Sequence, residues 1–201
     1  MMFKLLIYDF KMSHDTEQQI SALNDLIRIN NDRITGYKKR MDIRIDDELE
    51  FMFLQFIFQS KQNIEELIKY VWSLGGKPAD GKSLSGKFYH AWIDFKFNLT
   101  KQPRHIMLDY CENSEDVAKS AYSKALEDKG LSWGKKIANT LKSQLEELKM
   151  SHKTIMALRD KTAMLAWTET FLYRHNWTIT EAYFISKYSQ DQNITYNNPL
   201  F

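Results

Sequence analysis

Residues 47–76 read DELEFMFLQFIFQSKQNIEELIKYVWSLGG. Within them Leu49, Phe53, Phe56, Ser60, Asn63, Leu67, Val71 and Leu74 recur at spacings of three and four, which places them on one side of a helix. Asp46 or Asp47 offers an oxygen to the free N–H groups at its start, and Gly75-Gly76 ends it. Upstream, Leu23, Ile27, Asn30, Ile34, Tyr37 and Met41 keep the same spacing and predict a helix over about 16–43, with Asn30 inside the apolar stripe. The link between the two is a few residues long, so they should pack as antiparallel neighbours.

Downstream the pattern repeats. Pro103 fits the start of a third helix carrying Leu108, Glu112, Glu115, Lys119, Tyr122 and Leu126 along one side, with Gly130 just beyond its end. Ser132 can cap a fourth, whose stripe is Ile137, Leu141, Gln144, Leu148, His152, Ile155 and Arg159. Between the second and third helices, Pro78, Gly81 and Gly86 precede a short amphipathic piece with Phe88, Trp92, Phe95 and Leu99 on one face. A connection of that length can travel the full height of a helix and return the chain parallel. Two short links around one long crossover predict an all-α, ferritin-like four-helix bundle.

Composition agrees with this reading. Of 201 residues, 43% are hydrophobic and 27% charged, enough for one sizeable core, which excludes disorder and a disulfide scaffold. Three prolines and seven glycines leave residues 1–35 and 104–129 without a breaker, favouring long helices. The single cysteine, Cys111, cannot form an internal disulfide, and no apolar run is long enough for a membrane span, so a cytoplasmic protein is expected. With 28 basic against 26 acidic residues there is no electrostatic case for nucleic acid.

Four blocks carry a family resemblance: Leu23 to Tyr37 (LNDLIRINNDRITGY), Gly75-Gly-Lys-Pro with Gly86 and Ala91-Trp92, Cys111-Glu-Asn-Ser-Glu-Asp116 with Tyr122, and Ser151-His152 leading to Leu158-Arg-Asp160. In this order they resemble the bacterial ferritin-like four-helix-bundle domains grouped as a family of unknown function, over about residues 16–161. The resemblance implies the bundle fold and carries no catalytic activity. Ser114 departs from it where glycine would be expected.

The polar residues within the stripes are the chemical candidates. Ferritin-like iron proteins place a glutamate on each of two helices and a Glu-x-x-His pair on each of the others, because carboxylates and imidazoles together neutralise and hold two metal ions. This chain lacks a mid-height glutamate on its first helix and any histidine on its second, and Gln144 and His152 are eight apart on its fourth. The reading is therefore a non-catalytic bundle with a polar core layer including Asn30, Tyr37, Gln59 and Gln144, and no cofactor. Its alternative is a metal-binding or iron-oxidising protein holding iron, zinc or manganese through Glu112, Glu115 and His152. Counting from the loops sets Tyr37 level with Glu112 and His152, and Asn30 level with Glu115 and Gln144.

A third reading has to be weighed. Residues 76–83, GKPADGKS, satisfy the phosphate-loop pattern of nucleotide-binding enzymes. That loop requires a buried strand before it, whereas helical spacing here runs back to Asp47, so a chance match is expected.

At the ends, residues 1–15 form an N-terminal extension to a bundle over 16–162, and 163–201 form an aromatic extension with Trp167, Phe171, Tyr173, Trp177, Tyr183 and Phe184. Phe51, Leu54 and Phe58 fall on a second side of the second helix. A homodimer or the aromatic extension should cover that stripe.

Overall fold

The computed structural model describes residues 13–41, 45–80, 104–175 and 178. Four helices make up almost all of them: α1 (His14–Met41), α2 (Asp47–Ser73), α3 (Arg104–Glu127) and α4 (Lys135–His175). The expected crossover, residues 1–12 and nearly all of the chain beyond 175 lie outside the described residues.

Each boundary has a local chemical cause. At α1 the Ser13 hydroxyl accepts from the Thr16 N–H at 3.2 Å, acidic Asp15 and Glu17 sit in the first turn, and Lys38, Lys39 and Arg40 sit in the last, matching the helix dipole. Asp46 caps α2 by accepting from the Leu49 N–H at 3.1 Å. The same helix stops at Gly75, whose φ of 78° is the left-handed conformation, while Gly76 N–H reaches back to the Val71 carbonyl at 2.9 Å and Gly75 N–H to Trp72 at 3.0 Å. Gly76 also lies so close to α1 that a Cβ there would stand 2.7 Å from the Ile20 side chain.

One expected cap is corrected. The fourth helix begins at Lys135 rather than after Ser132, whose backbone turns to α1 instead: its N–H donates to Asp15 Oδ1 at 3.3 Å and its carbonyl accepts from Gln19 Nε2 at 2.8 Å. The same helix continues past residue 162 without a break, for 41 residues in all, about 60 Å at the usual rise.

Cross-helix contacts settle the directions. Asn30 meets Asn63 and Arg33 meets Ser60, so α1 and α2 are antiparallel. Tyr122 meets Gln144 and Glu112 meets Arg159, so α3 and α4 are antiparallel too. Asn30 to Tyr122 and Arg33 to Glu115 make α1 antiparallel to α3, while Gln144 to Glu66 and Tyr70 to Thr140 do the same for α4 and α2. Hence α1 runs with α4, and α2 runs with α3. A parallel α2–α3 pair cannot be joined by a tight turn, which accounts for the long segment between them.

The core divides along the bundle axis. One apolar cluster contains Leu23, Leu26, Ile27, Leu67, Val71, Ala118, Leu141, Leu145 and Leu148. The other contains Leu49, Met52, Phe53, Phe56, Ile57, Leu108, Cys111 and Ile155, with Tyr37 packed on Phe53 and Phe56 at ring separations of 5.1 and 5.5 Å. Polar side chains lie between them. On the outside of α2, Phe51, Leu54 and Phe58 are 64%, 48% and 62% exposed. No described helix is long and apolar enough to cross a membrane.

Candidate functional site

Two polar layers cross the bundle interior. In the first, Arg33 of α1 sets its Nε and Nη2 on the two oxygens of Glu115 from α3, each at 2.9 Å, in the bidentate fork that guanidinium and carboxylate favour. Its Nη1 donates to Ser60 Oγ at 2.7 Å and Nη2 also to Gln59 Oε1 at 3.2 Å, both on α2. Tyr37 gives its hydroxyl proton to Glu115 Oε1, and Ser151 of α4 donates to Gln59 Oε1 at 3.3 Å. All four helices are thereby tied at one height.

The second layer closes a ring. Asn63 (α2) donates to Asn30 (α1), Asn30 to the Tyr122 hydroxyl (α3), Tyr122 to Gln144 Oε1 (α4), and Gln144 Nε2 to Glu66 back on α2, the last three at 2.8, 2.8 and 2.9 Å. Each donor finds an acceptor on the next helix, so shifting one helix by a turn breaks bonds to two neighbours.

Charge in this interior is strongly perturbed. Burial opposes the Arg33 cation, yet Glu115 and the Tyr37 oxygen outweigh it and hold the guanidinium above its ordinary pKa. Tyr37 is pushed well above a free phenol, first by burial and then by the Glu115 charge, and Tyr122 is raised mainly by burial. Cys111 goes up to about 11, again chiefly through burial. At the edge of the second layer burial and then Glu66 raise Glu147.

A separate cluster lies on the α3–α4 seam. His152 Nε2 stands 3.0 Å from Asp116 Oδ1 and 3.6 Å from Glu112 Oε1. The three side chains each bring one ligand-type atom within 4.8 Å of the other two. Arg159 binds the other oxygen of Glu112 and lies 3.4 Å from Asp109 and 2.8 Å from Asp160. Lys119 pairs with Asp116 at 2.8 Å.

Glu112 and His152 thus meet on the seam, but Glu115 does not join them. Its carboxylate belongs to Arg33 inside the bundle. The buried side of α3 is Leu108, Cys111, Glu115, Ala118, Tyr122 and Ala125, not the face through Glu112 and Lys119. The buried stripe keeps Leu108, Glu115 and Tyr122 but takes Cys111, Ala118 and Ala125 in place of Glu112, Lys119 and Leu126, which turns Glu112 and Asp116 to the seam. Likewise Ser151 faces inward on α4 and His152 lies beside it. The expected layers are corrected at Glu115, which is level with Tyr37, whereas Asn30 and Gln144 do share a layer, joined by Tyr122. Arg33 and Asp116 lie outside the expected set of site residues. Both signals exist in the sequence, since Arg33 follows Asn30 by three and precedes Tyr37 by four, and Asp116 follows Glu112 by four.

Comparison with known proteins places the chain. Residues 18–128, comprising most of α1, all of α2 and all of α3, match a family model described as "Domain of unknown function (DUF2383)"; α4, with His152, lies beyond the matched span. Among solved structures the chain is similar to a crystal structure described as ferritin like, diiron-carboxylate proteins from Bacillus anthracis str. Ames, at 18% identity and a TM-score of 0.46 over 77% of this chain and 99% of that one. No curated protein matches.

Proposed function

The chain belongs to that family of unknown function, and on this premise we propose that it is a non-catalytic ferritin-like bundle whose interior is closed by a protein ion pair instead of a di-iron centre. The observation that carries the reading is Arg33 lying bidentate on Glu115 at the centre of the bundle. A di-iron site needs several interior carboxylates and two imidazoles. Among the described residues Glu115 is the fully buried carboxylate, both its oxygens face a cation, and the His152 ring is turned to the seam. The donor set does not fit two irons. The up-down-down-up order of helices with one long connection supports the ferritin-like assignment.

The reading as a nucleotide-hydrolysing enzyme finds no such support. A helix, α2, feeds Gly76, and residues 76–80 that follow it are not a strand; Gly81 to Ser83 lie outside the described residues. The exposed Phe51, Leu54 and Phe58 stripe is assigned to homodimerisation, since contiguous apolar surface is disfavoured in water; Phe58→Glu should convert a dimer to a monomer in sedimentation.

The function is tested by following oxidation of Fe(II) under air. Rates should equal those of buffer alone, and acceleration abolished by removing Glu115 would refute the proposal.

A further inference from the structure

We propose that Glu112, Asp116 and His152 form a mononuclear site for Zn(II) on the α3–α4 seam. Tetrahedral zinc with ligand bonds of about 2.1 Å holds its donor atoms about 3.4 Å apart. The imidazole nitrogen lies 3.0 Å from one carboxylate oxygen and 3.6 Å from the other, bracketing that spacing. Two carboxylate oxygens and an imidazole nitrogen are donors that zinc accepts, and three of them leave a fourth position for water. They come from two helices, and the i,i+4 interval on α3 points both acids at the same turn of α4.

The surroundings favour a dication. The Glu112 and His152 side chains are only 14% and 15% exposed, while Asp116 at 53% leaves the entry side open. Arg159 engages the remote oxygen of Glu112 and so turns Oε1 towards His152, the kind of outer contact that orients a metal ligand. Asp109, Glu112, Asp116 and Asp160 outnumber the Arg159 and Lys119 cations paired with them by two, so these side chains carry an excess of negative charge beside His152. Zinc must displace Lys119 from Asp116, a partly exposed i,i+3 pair that solvent screens. The competing arrangement is His152 bonded directly to the two acids with no metal. This site uses neither Arg33 nor Glu115, so it stands or falls separately from the closed interior.

Calorimetric titration of the full chain with Zn(II) at pH 7.5 tests it, with Co(II) absorption as a second readout of tetrahedral coordination. One ion per chain should bind. His152→Ala and Asp116→Asn should each weaken binding by at least about tenfold and remove the tetrahedral Co(II) bands, with helical circular dichroism unchanged. His14→Ala, at the far-off start of α1, should bind as the wild type does. Failure to bind Zn(II), or undiminished binding in either seam variant, overturns the proposal. Asp116 is exposed enough that its variant remains informative if His152→Ala fails to fold.

Discussion

Arg33 and Glu115 are both fully buried, and at that depth the sign of any mutational effect depends on what is left behind. Glu115→Gln strands a guanidinium inside the bundle and should destabilise it by about 3–5 kcal/mol in urea unfolding. Replacing both partners, Arg33→Met with Glu115→Leu, removes the charge altogether and should recover most of that loss. An additive double variant would show that the two groups are not coupled. Cys111 gives a second test at this scale. The folded thiol keeps its proton to about 11, against a reference near 9 when unfolded. The folded state therefore binds more protons above pH 9, and stability should fall as pH rises from about 9 to 11, by about 2–3 kcal/mol for the thiol. Tyr37 and Tyr122 are raised too and act in the same direction. Cys111→Ala should lose the thiol's share of this slope, and a stability unchanged between pH 8 and 11 would contradict the buried assignment.

At the level of elements, the sequence shows where helices start and stop better than how they are rotated. Asp46 and Gly75-Gly76 are punctuation with a local mechanism, and both do in the structure what their chemistry predicts. Asp46→Ala should lower stability by about 1 kcal/mol through the lost cap, and Gly75→Ala by about 1 kcal/mol through the left-handed backbone. Thermal unfolding reads both, and two neutral substitutions would mean that the ends of α2 do not limit stability. Rotation about the axis is another matter. Choosing Ile34 over Arg33, or Glu112 over Cys111, is natural where apolar periodicity tolerates either neighbour. The deciding factor is a cross-helix partner more than 80 positions away, Glu115 for Arg33, which no window along the chain contains. Ser132 is similar: it is a good cap by type, yet its backbone bonds to Asp15 and Gln19 of α1 and the helix starts at Lys135.

Across the whole molecule, the order and direction of the four described helices were legible because link lengths constrain them: short between α1 and α2 and between α3 and α4, long between α2 and α3. The interior was legible as polar but not as ionic. Two apolar clusters stabilise the bundle, and the layers between them fix which helix faces which. Arg33 places a positive charge against Glu115 within that interior, and it is covalently part of the chain. The most direct test is the metal content of the protein after anaerobic loading with excess Fe(II) and desalting. The account predicts at most one iron per chain, removed by His152→Ala and unaffected by Tyr37→Phe in the interior. Two irons per chain, with loss of both in a protein lacking Glu115, would contradict it.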